Sequence, residues 1–250
     1  MTATRPAASL ALCVLGCDGS YPGPGGACSG YLLTCATTVV WLDAGPGTMA
    51  ALQTHVPLDE LDAVVLTHEH ADHWSDLEHL DVAFRWYLGR SGFPVYAPPD
   101  LIAAASDRIP DDGVVDWRPT SPDQPIEIGP MTFTFSRTDH PVQTFAVRVD
   151  GRGRSLGYSA DTGPRWPLSS LGPGLDLALV EATWLADHER DAAPHLSARQ
   201  AGATARQAGV GRLVLTHVLP TTPRAAAEEE AEASFGAPVE VAGAGARYEL

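Results

Sequence analysis

Between Thr67 and His73 the chain reads THEHADH, three histidines and two carboxylates in seven residues, directly behind the apolar strand candidate AVVLT at 63–67. Such a density of polar side chains beside a buried strand is tolerable only if the backbone leaves the sheet there and the side chains converge on something that satisfies them. Imidazole and carboxylate together suit Zn²⁺ first, with Mn²⁺ or Fe²⁺ as alternatives. His68, Glu69, His70, Asp72 and His73 exceed what one tetrahedral zinc needs, so the run predicts a site for two divalent ions, completed from elsewhere in the chain. Candidates stand at the ends of later strands: His140 in TDHP behind MTFTFS, Asp161 in YSADTG behind RSLGYS, and His217 in LVLTHV. Any one of them alone reads as an ordinary hydrogen-bonded residue, whereas jointly with the first run they read as a site. His55, His79 and His188 lack such placement and keep the ordinary reading.

Strand-like stretches recur at 10–15, 29–34, 38–43, 63–67, 93–97, 131–136, 144–149, 154–159, 175–181, 212–216 and 238–242, enough for two sheets. Helical patterns fall between them at 47–55, 74–89, 99–107, 197–208 and 223–234, the fourth opening at Ser197 as its N-cap. Strands and helices mixed in this way predict an α/β or α+β fold spanning 1–250 as a single domain. The Pro- and Gly-rich segment Pro110 to Pro130 reads as a surface loop, and AAAEEEAEA as a solvated helix face. Trp74, Phe84, Trp86 and Tyr87 on the 74–89 helix read as packing or dimer contacts rather than a base cage.

Charge and composition exclude several chemistries. The net charge of −15 discourages capture of a large polyanion, though a small anion held by a local positive site fits. All the basic residues are arginine, which removes lysine nucleophiles, Schiff bases and the P-loop lysine. Cys13, Cys17, Cys28 and Cys35 are spaced neither as a zinc knuckle nor as a C-x-x-C pair and read as free thiols in a reducing cytoplasm. Arg5 and the apolar run from Ala7 to Gly16, ending VLGC, imitate a lipoprotein signal with Cys17 as the lipidated residue; the run is short, and a buried first strand is the better reading. No stretch has the length of a membrane-spanning helix.

The set of His68, His70, Asp72, His73, His140, Asp161 and His217 resembles the metallo-β-lactamase superfamily along nearly the whole chain. The resemblance implies a four-layer αβ/βα sandwich with a dinuclear site at one edge. It also implies that His68, His70 and His140 hold one metal, Asp72, His73 and His217 the other, and that Asp161 bridges them. Asp43 in WLDAGPGT resembles the early aspartate motif of the family, which orients the metal loop. A complete H-x-H-x-D-H run with an aspartate at 161 resembles the phosphodiesterase and thioesterase branches rather than the antibiotic-hydrolysing one.

VEATW (180–184) and HLSARQAG (195–202) resemble the ribonuclease Z-like group. By that resemblance the catalytic residues are His195 as general acid, Glu181 orienting it, and Asp72 beside the metals. The departures from ribonuclease Z are VLPTT after His217, Leu196 in place of serine, and an interval between His140 and Asp161 too short for an RNA-gripping arm. The segment VLGCDGSYPGPGGACSGYLL, with GYSADTG and LTHVLP, is similar to actinobacterial cyclic-nucleotide phosphodiesterases of this superfamily. The implied reaction is hydrolysis of a 3′,5′-cyclic nucleotide to the 5′-nucleotide, in a cytoplasmic homodimer that takes a small-molecule phosphodiester and no membrane. The alternatives are a tRNA 3′-processing ribonuclease, a thioester or lactone hydrolase, and a metal-binding scaffold. The Gly-rich loop GCDGSYPGPGGACSG reads equally as a pocket wall, with Tyr21 stacking on a base, or as a tight turn.

Overall fold

The computed structural model describes residues 9–250; Arg5 and Ala7, at the start of the apolar N-terminal run, lie outside the described residues. Six strands come first, β1 (Ala11–Gly16), β2 (Gly30–Cys35), β3 (Thr38–Ala44), β4 (Ala63–Val65), β5 (Phe93–Ala97) and β6 (Val115–Pro119). Eight follow, β7 (Ile126–Ile128), β8 (Met131–Arg137), β9 (Phe145–Gly151), β10 (Arg154–Tyr158), β11 (Leu177–Glu181), β12 (Arg212–Thr216), β13 (Glu240–Val241) and β14 (Arg247–Glu249). They form two seven-stranded sheets, ordered β14-β1-β2-β3-β4-β5-β6 and β13-β12-β11-β10-β9-β8-β7. The helices are α1 (Thr48–Leu52), α2 (Ala71–Trp74), α3 (Asp76–Ala83), α4 (Pro99–Ala105), α5 (Ala198–Ala208) and α6 (Arg224–Phe235).

Side-chain alternation divides the apolar residues among three layers. Along β3, Val40 and Leu42 face the second sheet, where they meet a core that includes Phe133, Val147 and Leu179. Val39 and Trp41 face outward, in the layer that holds Leu52, Leu77, Leu80 and Leu101 from the first set of helices. On the far side Ala178, Val180 and Leu215 carry α5 and α6, whose contacts are small residues such as Ala201, Ala205, Ala227 and Ala231. A strand buried on both faces is apolar at nearly every position, which is why β3 is wholly buried. The result is the expected four-layer αβ/βα sandwich. Ser197 caps α5 as expected: its Oγ accepts the Gln200 N–H and Gln200 Oε1 accepts the Ser197 N–H, a box that fixes the backbone two residues after His195.

Two expectations are corrected, and one strand lies where the sequence reading placed none. The segment Pro110 to Pro130 contains β6 and β7, and Arg247–Glu249 is a strand. All three lie at sheet edges and are short and partly polar, as edges must be to avoid pairing with other chains, so their alternation is too brief to mark a strand in sequence. The 74–89 helix begins at Ala71, breaks at Ser75 and ends in a wider π-helical turn over Phe84–Leu88. Trp74 and Phe84 are buried, whereas Trp86 and Tyr87 are exposed.

Candidate metal centre

The strand ends deliver their functional residues to one edge. Asp43 is the penultimate residue of β3, His68 and His70 follow β4, His140 follows β8, Asp161 follows β10, Glu181 ends β11 and His217 follows β12. Asp72 and His73 sit in α2, directly after the loop. Three of these exits use left-handed backbone at a residue with a side chain, Asp43 (φ 56°), Ala160 (φ 50°) and His217 (φ 54°). Such conformations are uncommon outside glycine and persist where the surroundings enforce them. Each turns the chain sharply at a strand end.

Two groups of donors meet there. His68, His70, His140 and Asp161 offer atoms within 4.8 Å of one another, as do Asp72, His73 and His217. Asp161 belongs to both by geometry. Its Oδ2 lies 3.5 Å from His68 Nε2 and 3.9 Å from His140 Nε2, while Oδ1 lies 3.2 Å from His73 Nε2 and 3.5 Å from His217 Nε2. Buried His68 Nε2, His73 Nε2 and Asp161 Oδ1 have no hydrogen-bond partner despite this proximity. His140 Nε2 and His70 Nδ1 face each other at 3.1 Å. Buried polar atoms left unpaired and aimed at a common point are what a cation would satisfy, and the nitrogen and oxygen donors fit a divalent metal.

The opposite ring nitrogens are held from behind. His73 Nδ1 is 2.8 Å from Asp43 Oδ2, His68 Nδ1 is 3.1 Å from Thr67 Oγ1, His140 Nδ1 is 2.9 Å from the Pro194 carbonyl, and His217 Nδ1 is 2.9 Å from Thr183 Oγ1. These contacts fix each ring's direction and leave Nε2 facing the centre. Asp43 orients the metal loop as expected, also accepting from Thr67 N–H and from the Tyr158 hydroxyl. Thr67, Tyr158, Thr183 and the Pro194 carbonyl have no sequence signal for these supporting roles, although Thr67 opens THEHADH, Tyr158 opens YSADTG and Thr183 lies within VEATW.

Burial pushes the His68 imidazolium down to about 3, with the His73 charge adding to the effect. Burial also acts against the His73 cation, but Asp161, Asp72 and Asp43 around it raise its pKa well above the usual value. Asp161 is held well below the carboxylate range: burial opposes ionisation, and His217, His73 and His68 overcome it. A metal must therefore displace the His73 proton. Loading chelator-treated protein with Zn²⁺ at pH 7 is expected to release at least one proton per chain, and affinity is expected to fall as the pH falls. Calorimetry in buffers of different ionisation enthalpy reads the number directly, and no buffer dependence would contradict the assignment.

Beside the centre, Glu181 is fully buried and satisfied. Its Oε1 accepts from Thr162 N–H at 2.7 Å and meets His195 Nδ1 at 3.0 Å, and its Oε2 accepts from the Thr183 hydroxyl at 2.8 Å. Burial lowers the pKa of His195, but the charge and hydrogen bond of Glu181 raise it to about 9. His195 also groups with Asp161 and His217, so it stands at the edge of the centre. Glu69 belongs to neither donor group. His55 contacts Cys13 and Arg247, His188 pairs with Asp187, and His79 is exposed, as the ordinary reading expected. All four cysteines are free and buried.

The model for the β-lactamase superfamily domain matches residues 38–218. The uncharacterized protein Rv1339 of Mycobacterium tuberculosis is 38% identical over 243 residues, covering 92% of this chain and 89% of its own. The probable metallo-hydrolase YhfI of Bacillus subtilis is 31% identical over 243 residues, 94% of this chain and 98% of YhfI. The crystal structure of YhfI aligns with a TM-score of 0.89 at 30% identity over 96% of this chain and 99% of that one. Ribonuclease Z of Methanopyrus kandleri is 27% identical over 264 residues, 90% of this chain and 93% of the relative. The matched segment contains every residue of the centre from Asp43 to His217, and a metallo-hydrolase aligns almost end to end, so the chain belongs to the metallo-β-lactamase superfamily.

Proposed function

We propose that this protein is a dinuclear metal-dependent phosphodiesterase that hydrolyses small phosphodiesters, with a 3′,5′-cyclic nucleotide as substrate and the 5′-nucleotide as product. The observation that carries the reading is the pairing of His195 with buried Glu181 beside the donor cluster. A thiolate leaves without much help from an acid, whereas an alkoxide departing from phosphorus needs a proton. Glu181 supplies no proton itself: it holds His195 by Nδ1 and favours the charged ring, leaving Nε2 free to protonate the departing 3′-oxygen.

His68, His70 and His140 would hold one ion, Asp72, His73 and His217 the other, and Asp161 both, with Zn²⁺ as the first choice. Bound there, two ions would lower the pKa of a water and clamp phosphoryl oxygens. The protein contributes fixed ring directions through Asp43, Thr67, Thr183 and the Pro194 carbonyl, so little reorganisation is needed when substrate arrives. A net charge of −15 favours a small substrate over tRNA.

The reading carries with it a homodimer in the cytoplasm, with exposed Trp86 and Tyr87 as apolar surface that a second copy would cover; sedimentation equilibrium tests the stoichiometry. Among the described residues no helix is long and apolar enough to cross a membrane. Metal-loaded protein incubated with 3′,5′-cyclic AMP is expected to yield 5′-AMP. Cleavage of bis(p-nitrophenyl) phosphate with no 5′-AMP formed would remove the cyclic-nucleotide assignment, and salt-sensitive cleavage of a tRNA precursor would favour the ribonuclease alternative.

A further inference from the structure

The connection from β1 to β2 contains a strained turn with no part in the chemistry above. Ser20 has a φ of 61°, and the Tyr21 N–H donates to the Gly19 carbonyl at 2.7 Å. These place Ser20 at the centre of a γ-turn of the rarer, left-handed kind, which costs free energy and persists only where neighbours impose it. The neighbours are present. Gly19 N–H donates to the Val218 carbonyl at 3.0 Å, Cys17 and Asp18 N–H both donate to the Ala27 carbonyl, and Asp18 Oδ2 accepts the Gly23 N–H at 2.9 Å. Gly19 lies against the metal-site histidine so closely that a Cβ there would come within 2.9 Å of His217 Nδ1. Glycine is required at 19 by this approach and not by its φ.

The consequence is directional. Gly19 is buried, Ser20 is exposed, and the Ser20 N–H points at His217 Nε2 from 3.4 Å. That nitrogen faces the donor cluster, and once its lone pair is committed to a cation it accepts no hydrogen bond. The Ser20 N–H is then an unpaired donor at the rim of the centre. In a strongly acidic chain, local donors of this kind help to hold an anion against the overall field.

We propose that the Ser20 backbone N–H is a substrate-binding group, donating to a non-bridging phosphoryl oxygen of the phosphodiester and of its phosphate-bearing product. The proposal rests on the phosphodiester reading of the site. It assigns the Gly-rich loop a backbone role in which the Ser20 hydroxyl takes no part.

The test uses the whole metal-loaded protein with inorganic phosphate as the calorimetric probe, so that binding is read without turnover. Replacing Ser20 by its α-hydroxy acid exchanges this one N–H for an ester oxygen. Phosphate is expected to bind roughly 10-fold more weakly, as for loss of one hydrogen bond to a charged acceptor, with KM for substrate rising in parallel. Metal content should remain that of the wild type. Ser20→Gly keeps the N–H and relieves the strain, so its affinity should stay within about twofold of wild type. Gly19→Ala, which pushes the turn off His217, should reproduce the loss and serves if the ester variant does not fold.

Wild-type affinity in the ester variant, or a loss in Ser20→Gly as large as that expected for the ester, overturns the proposal. A wild-type protein that binds phosphate but cleaves no phosphodiester fails the functional reading and leaves the N–H assignment standing. An active hydrolase whose ester variant keeps its KM and its phosphate affinity fails only the assignment. A protein that neither binds phosphate nor cleaves any phosphodiester fails both.

Discussion

Asp161→Asn is expected to reduce the metal content of the purified protein from two ions per chain toward none and to slow phosphodiester hydrolysis by about 10²–10⁴-fold. The substitution keeps the volume of the side chain and removes its charge, so the effect belongs to electrostatics rather than to a cavity. Its two oxygens face different histidine groups, Oδ2 toward His68 and His140, Oδ1 toward His73 and His217. An amide offers one oxygen, so its nitrogen must turn toward one of the two groups and present hydrogens where a cation should sit. Breaking a buried charged arrangement by removing one partner costs about 3–5 kcal/mol, and each 1.4 kcal/mol is tenfold, which gives the quoted range. Elemental analysis after gel filtration reads the metal content. Melting with and without chelator supplies a second measure, since ions that bind only the folded state raise the Tm and the chelator-dependent drop should shrink in the variant. Two ions per chain retained with a rate within about tenfold of wild type would show that Asp161 does not bridge.

How much of this centre is visible in sequence depends on how each residue acts. The donors are legible because their type and density are chemically costly beside a buried strand: THEHADH after AVVLT needs a reason, and His140, Asp161 and His217 repeat the placement. Their supports act through distances that only the assembled sandwich defines. Tyr158 reaches Asp43 across 115 residues, joining the two sheets, and nothing in LGYS announces that its hydroxyl will donate to a buried carboxylate. The Pro194 carbonyl that holds His140 has no side-chain signature at all. Elements follow the same rule. β3 and β11 are legible because both of their faces are buried, while β6, β7 and β14 alternate over too few residues to be read as strands. The glycine-rich loop reads from sequence either as a pocket wall or as a tight turn, because nothing in its glycines says which atoms come near them. At Gly19 the requirement is close approach to His217, which no local pattern announces.

His195→Ala separates the roles of His195 and the donor cluster through the leaving group. If His195 protonates a departing alkoxide, its loss should slow hydrolysis of a cyclic nucleotide by about 10²–10⁴-fold, the usual contribution of a positioned acid. Bis(p-nitrophenyl) phosphate, whose leaving group departs as a stable phenolate, should slow by no more than about tenfold. Glu181→Gln tests the partner without displacing it, since the amide oxygen can still accept from His195 Nδ1 while the charge is gone. Burial disfavours the His195 cation, Glu181 overcomes this and brings its pKa to about 9, and cations held nearby pull the value down. A raised histidine pKa means that the proton, and with it both the acid function and the stabilising ion pair, is present at low pH and lost as the pH rises through the folded value. The rate on a cyclic nucleotide should therefore fall on an alkaline limb no higher than about 9 in the wild type. In Glu181→Gln that limb should move roughly one unit or more toward acid. Equal losses on both substrates in His195→Ala, with metal content reduced, would instead make His195 a member of the metal-holding set, and the phosphodiesterase reading would lose the observation on which it rests.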